Sequence, residues 1–115
     1  MTDIRQARWR VLDPRDVLDV AQDELPLSES EARYVAASRA PSTLRGYRTD
    51  WREWCDWSAN RGHAPLPARP DALASFIAAV ADGGAKPGTI RRKLSAIRYA
   101  HKLVGLDDPT ASARV

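Results

Sequence analysis

Lys86-Pro87-Gly88-Thr89-Ile90-Arg91-Arg92-Lys93-Leu94-Ser95-Ala96-Ile97-Arg98-Tyr99-Ala100-His101-Lys102-Leu103-Val104-Gly105 reads as one helix with a signal at each end. Pro87 suits a first helical position, where a missing N–H costs nothing, and Gly105 suits the left-handed residue after the last turn. Ile90, Leu94, Ile97, His101 and Val104 recur at three- and four-residue steps and so share one face. At about 100° per residue, Arg92 and Tyr99 fall almost opposite that face, and Arg91, Ser95, Arg98 and Lys102 form a stripe along one flank. An apolar seam under a cationic surface fits a recognition helix for a polyanion. It also fits a solvated bundle helix.

Working outward, three more helices carry the same period. Ser28-Glu29-Ser30-Glu31 is a capping box, and the helix it opens is expected to run to about Arg39, with Ala32, Tyr34, Val35 and Ala36 inward. Ala40-Pro41 breaks it. Ser42 is expected to cap a longer helix ending near Asn60, with Leu44, Tyr47, Trp51, Trp54, Cys55 and Ser58 on one face. Arg45, Arg48 and Arg52 form its cationic flank, for which salt bridges to Asp56 and Glu53, with Arg52 and Asp56 an i,i+4 pair, are the structural explanation. Trp51 and Trp54 are read as core; Trp57 lies off the seam. The proline-rich connector Ala64-Pro65-Leu66-Pro67-Ala68-Arg69-Pro70 leads to a third helix, with Leu73, Phe76, Ile77 and Val80 in register and Asp82-Gly83-Gly84 closing it. After Gly105, Pro109 is placed to start another helix, and the few residues beyond it suggest one module of something longer.

No segment reads as a strand, so the fold class is all-α, a bundle of four to five short helices in one domain. Residues 28–115 form that domain, and residues 1–27 an N-terminal arm, either flexible or carrying one short helix from Asp13-Pro14-Arg15-Asp16 through Val17 and Leu18. The formal charge is +3, unevenly placed. Residues 86–115 carry seven Lys and Arg against two Asp, whereas residues 1–27 carry four Arg against six Asp and Glu. Concentration of positive charge around one helix points to an anionic partner.

Other chemistry is excluded by what is missing from the chain. Cys55 is the single cysteine, so neither an intramolecular disulfide nor a thiolate metal cluster is expected. His63 and His101 have no metal-ligand spacing and no catalytic grouping around them; His101, on the apolar seam, reads as a structural histidine. Gly83-Gly84 lacks the Lys and Ser/Thr of a phosphate loop. No cofactor is expected. The uncharged run 72–81 is about half of a membrane span and the first residues lack the apolar core of a signal peptide, so a soluble, intracellular protein is expected, with no membrane partner.

The stretch Ser42-Thr43-Leu44-Arg45-Gly46-Tyr47-Arg48-Thr49-Asp50-Trp51-Arg52-Glu53-Trp54 resembles the T-x-x-x-Y-x-x-x-W/F-x-x-W/F helix of tyrosine recombinases, the phage integrases. Leu66-Pro67-Ala68, the helix from Lys86 to Ile97, His101-Lys102-Leu103-Val104-Gly105-Leu106 and Asp108-Pro109-Thr110 follow in the family's order. The resemblance covers residues 42–115 and, more loosely, 28–41. It implies the family's N-terminal core-binding domain, a SAM-like bundle that clamps duplex DNA at inverted-repeat half-sites, with residues 28–39 facing neighbouring recombinase protomers. Carried over residue by residue, it assigns Thr43, Arg45 and Arg48 of one helix and Lys86, Thr89, Arg91 and Arg92 of the other to DNA. Thr89 would hold a phosphate and Arg92 would read a base edge. Gly88 departs from the polar residue usual before that threonine. The family's catalytic Arg, Lys, His and Tyr residues belong to a second domain, and Tyr34, Tyr47 and Tyr99 lack the surroundings of its nucleophile. The resemblance therefore implies a domain that binds DNA on the chromosome or phage genome without cutting it. A helical protein-interaction module with a basic surface for an acidic partner is the alternative.

Overall fold

A computed structural model describes residues 13–20 and 41–111, apart from the side chains of Val20 and Pro41. Among these residues every regular element is helical. A 3-10 turn, Pro14–Asp16, runs into the short helix α1, Val17–Val20. Three long helices follow: α2, Pro41–Asn60; α3, Pro70–Asp82; and α4, Pro87–Leu103. A second 3-10 turn spans Pro109–Ala111. The expected helix over residues 28–39 lies outside the described residues.

The three long helices share one pair of end signals. Each opens on proline, which brings a preset φ and loses no intrahelical bond there. Helix α2 therefore starts at Pro41, and Ser42 sits inside its first turn instead of capping it. Each helix closes on a glycine in the left-handed region, with φ of 73° at Gly62, 97° at Gly84 and 77° at Gly105. At α4 the Gly105 N–H donates to the Lys102 carbonyl and the Leu106 N–H to the His101 carbonyl, the paired bonds of a Schellman end.

Helix α2 is the scaffold. Trp51 and Trp54 are fully buried on its core face with Tyr47, Cys55 and Ser58. Each indole body buries roughly 200 Å², worth up to about 5 kcal/mol of apolar transfer. Each indole N–H also ties down a neighbouring segment. Trp51 Nε1 donates to the Pro14 carbonyl at 2.7 Å, holding the N-terminal turn, and Trp54 Nε1 donates to the Pro65 carbonyl at 3.0 Å, holding the connector. Val17 and Leu18 insert into the same core, so residues 13–20 dock against α2. Trp57 is half-buried, stacked on Trp54 at 5.8 Å and edge-on to Phe76 of α3 at 5.4 Å.

Helix α4 is buried over a wider arc than one apolar stripe. Lys93, Ala96, Ile97, Tyr99, Ala100, His101 and Leu103 are all buried, whereas Ile90 and Leu94 are only half-buried. Tyr99, which periodicity places opposite the seam, packs against Tyr47 with ring centroids 5.6 Å apart. The reason is that α4 touches α1, α2, α3 and the second 3-10 turn, so it is covered on several sides at once. Beyond its first residues, Arg91, Arg92, Arg98 and Lys102 stay exposed, with Ser95 half-buried among them.

Candidate functional site

The third turn of α2 and the second turn of α4 meet at a buried carboxylate. Asp50 lies one turn beyond Gly46, on the α2 flank that faces α4, and is 1% exposed. Isolated there, its charge would be costly, so cations must reach it. Arg92 Nε donates to Asp50 Oδ2 at 2.7 Å and Arg92 Nη2 to Oδ1 at 3.3 Å. Lys93 Nζ donates to the same Oδ1 at 3.0 Å and to Glu53 Oε2 at 3.0 Å. Burial pulls the Lys93 pKa down, but the hydrogen bonds it donates to Glu53 and Asp50 outweigh that and raise it, so it stays charged. The hydrogen bonds to Asp50 likewise raise the Arg92 pKa. Four charges of alternating sign thus lock the two helices together.

Gly46, facing this cluster, places its α-carbon where an added Cβ would lie 3.8 Å from Arg92 Cδ. Gly46 and Arg92 each lie five residues past the proline that opens their helix. At ~1.5 Å per residue, each helix start is about 7.5 Å along its axis from this contact. The expected site residues of both helices are therefore neighbours around one junction. Thr43 and Thr89 are half-buried, and Arg45, Lys86 and Arg91 are exposed. The Arg91 guanidinium lies over the helix start, with Nη2 3.7 Å from where a Cβ on Gly88 would sit.

The other cations of the α2 flank are engaged inside the molecule. Arg48 Nε is 3.3 Å from Asp19 Oδ1, and Arg52 pairs with Asp19 and, at 3.6 Å, with Asp16. The expected Arg52–Asp56 pair does not form, because Asp56 is 3.1 Å from Arg15. These half-exposed pairs contribute about 0–1 kcal/mol each, but together they set the docked segment 13–20 along the α2 flank. Arg98 holds Asp108 at 3.1 Å and the Thr110 hydroxyl, fixing the second 3-10 turn. Burial pushes the Asp108 carboxyl up, yet the Thr110 hydroxyl and amide and the Arg98 charge bring it below its ordinary value. Arg69 pairs with Asp71, and Arg61 lies 4.2 Å over the Trp57 ring.

Among the described residues, the cations with neither a carboxylate nor a ring partner are Arg45, Lys86, Arg91 and Lys102. Three of these four stand at the starts of α2 and α4. Neither start carries an acidic residue in its first turn, whereas α3 has Asp71 there. Lys86, the residue before α4, makes no side-chain capping bond either. The first N–H groups of α4 are therefore left to an outside acceptor, at the positive end of the helix dipole.

The remaining titratable groups are structural. His101 is fully buried: Nδ1 donates to the Ile97 carbonyl at 2.7 Å, and Nε2 accepts from the Ala68 N–H at 2.9 Å. Burial lowers its pKa, only partly opposed by the Ile97 carbonyl and the Asp108 charge. Burial pushes the Cys55 thiol up to about 12. Among the described residues no group of three or more His, Cys, Asp or Glu is placed to hold a metal ion, and no helix is long and apolar enough to cross a membrane.

Sequence reasoning singled out Arg92 but passed over its partner. The signal was there: Asp50 stands three residues after Tyr47 and four before Trp54, on the inward side of an aromatic helix.

Comparison with known proteins identifies the family of the bundle. Residues 32–104 match the family model of the phage integrase N-terminal SAM-like domain. The chain is 35% identical over 79 residues to an integrase/recombinase xerD homolog of Selenomonas ruminantium, an alignment covering 69% of this chain and 23% of that protein. It is 36% identical over 98 residues to the tyrosine recombinase XerD of Yersinia pestis, covering 78% of this chain and 32% of that protein. The chain thus spans a third or less of the length of these relatives. No solved structure matches. With a family model covering well over half of its length and a bundle of the expected all-helical kind, this chain belongs to the phage integrase N-terminal SAM-like domain family.

Proposed function

We propose that this chain binds duplex DNA through the neighbouring starts of α2 and α4, as the core-binding domain of a site-specific tyrosine recombinase. One observation carries the reading: the cations left unpaired gather where two helix starts lack acidic residues, while those elsewhere are mostly matched to internal carboxylates. Helix starts of this kind bind phosphate oxygens with backbone N–H groups, and flexible cations beside them displace condensed counterions. Thr43, Arg45, Lys86, Thr89 and Arg91 then form the phosphate-contacting face. Arg48 stands at its edge, shared with Asp19, and Arg92 at its centre, held by Asp50. Cleavage and rejoining of strands belong, in this reading, to the catalytic part of the recombinase, and other protomers of that recombinase are the protein partners.

Fluorescence anisotropy of a labelled duplex across a salt series tests this. Arg45→Ala, Lys86→Ala and Arg91→Ala are expected to weaken binding to every duplex, each lowering the salt slope by about one. Arg69→Ala, which removes a partner of Asp71 away from both starts, is the control. Equal affinity in all four variants would refute the assigned face.

A further inference from the structure

The geometry points to Asp50 as the positioning residue that presents Arg92 to a guanine edge. This rests on the DNA-binding reading and adds to it a residue that touches no DNA. A guanidinium has five N–H donors. Asp50 takes the Nε–H and one Nη2–H, in a side-on pair of 2.7 and 3.3 Å. The opposite edge, with one N–H on each Nη, has no partner among the described residues, and the Arg92 side chain is 51% exposed. That edge is a planar fork of two parallel donors, the shape that meets O6 and N7 of guanine in the major groove.

The support behind the fork is rigid. Asp50 is buried, and its Oδ1 is also gripped by Lys93 at 3.0 Å, which Glu53 holds from the other side. Much of the rotamer freedom an arginine loses on gripping a base is already lost in the free protein. The charge balance favours a base over a phosphate. Arg92 is already neutralised by Asp50, so it offers directed donors more than net charge, whereas Arg45, Lys86 and Arg91 offer net charge.

The test uses the full 115-residue chain. It selects its preferred duplex from a randomised library, and each guanine of that duplex is then replaced in turn by 7-deazaguanine, which lacks the N7 acceptor. The wild type is expected to lose about tenfold in affinity at one guanine. Asp50→Asn keeps the shape of the side chain but removes the acceptor charge, and is expected to reduce that penalty to about twofold or less while the salt slope persists. Asp50→Glu, which keeps a charge for Lys93 but moves the carboxylate by about one methylene, is the second variant should Asp50→Asn fail to fold. Arg92→Lys keeps the charge and removes the fork, and is expected to abolish the same discrimination. A guanine penalty that survives in the Asp50 variants overturns the proposal, as does a wild type with no guanine penalty. Parallel weakening on every duplex also overturns it, since that is what a merely structural Asp50 would give. If the wild type binds no duplex even at low salt, the DNA-binding reading fails and this inference falls with it.

Discussion

His101 makes the stability of this domain depend on pH in a defined direction. The imidazole is fully buried, donates from Nδ1 to the Ile97 carbonyl and accepts at Nε2 from the Ala68 N–H. The Ala68 bond requires the neutral ring, because a proton on Nε2 would face the Ala68 N–H donor to donor, whereas Nδ1–H can donate to the Ile97 carbonyl in either state. Burial accordingly holds the folded-state pKa below the ordinary 6.5. Between those two values the unfolded chain binds the extra proton and the folded chain does not. The stability that neutral His101 supplies is therefore complete above 6.5 and is lost as pH falls from there toward the lowered folded value. The limiting slope is about 1.4 kcal/mol per pH unit. Urea unfolding followed by tryptophan fluorescence at several pH values between about 5 and 7.5 measures it, since Trp51 and Trp54 are core residues. His101→Phe fills much of the space without titrating. It is expected to cost about 1–3 kcal/mol at neutral pH, from the stranded Ala68 N–H, and to flatten the slope. A flat wild-type profile, or an unchanged slope in His101→Phe, would refute the reasoning.

Three further outcomes follow from other buried groups. Lys93→Met removes one of the two cations on Asp50 while keeping the aliphatic stem, and a loss of about 3 kcal/mol in urea unfolding is expected, since a buried carboxylate is left undercompensated. Ser58 Oγ is fully buried with no partner, so Ser58→Ala should be neutral or slightly stabilising by the same measurement. Cys55, 3% exposed with its thiol pushed up to about 12, should react with a thiol reagent only as fast as the domain opens. A rapid burst of labelling in the folded chain would contradict that placement.

The fold was legible where its rules are local. Proline at a helix start and glycine beyond its end are read from neighbours alone, and they fix the bounds of α3 and α4 and the end of α2. Heptad-like spacing was enough to place Trp51, Trp54, Leu73, Phe76 and Ile97 in the core. It failed for Tyr99 because a single period assumes one covered stripe, and α4 is enclosed by several elements. The expected site was legible as a set of residues near two helix starts, but its division of labour was not. Arg45 and Arg48 look alike in sequence, and only the docking of residues 13–20 gives Arg48 a carboxylate and leaves Arg45 without one. Arg92 stands out in sequence, but its partner does not, because only the tertiary fold sets Asp50, 42 residues away, against it.

The central claim is that the starts of α2 and α4 together form the DNA face. Amide chemical shifts of the isotopically labelled chain, titrated with a short duplex at low salt, test it most directly. The account predicts that the largest changes cluster at residues 42–49 and 86–92 and fade as salt is raised. Changes confined to the uncharged stretch 74–81 of α3, or no changes at all, would contradict it.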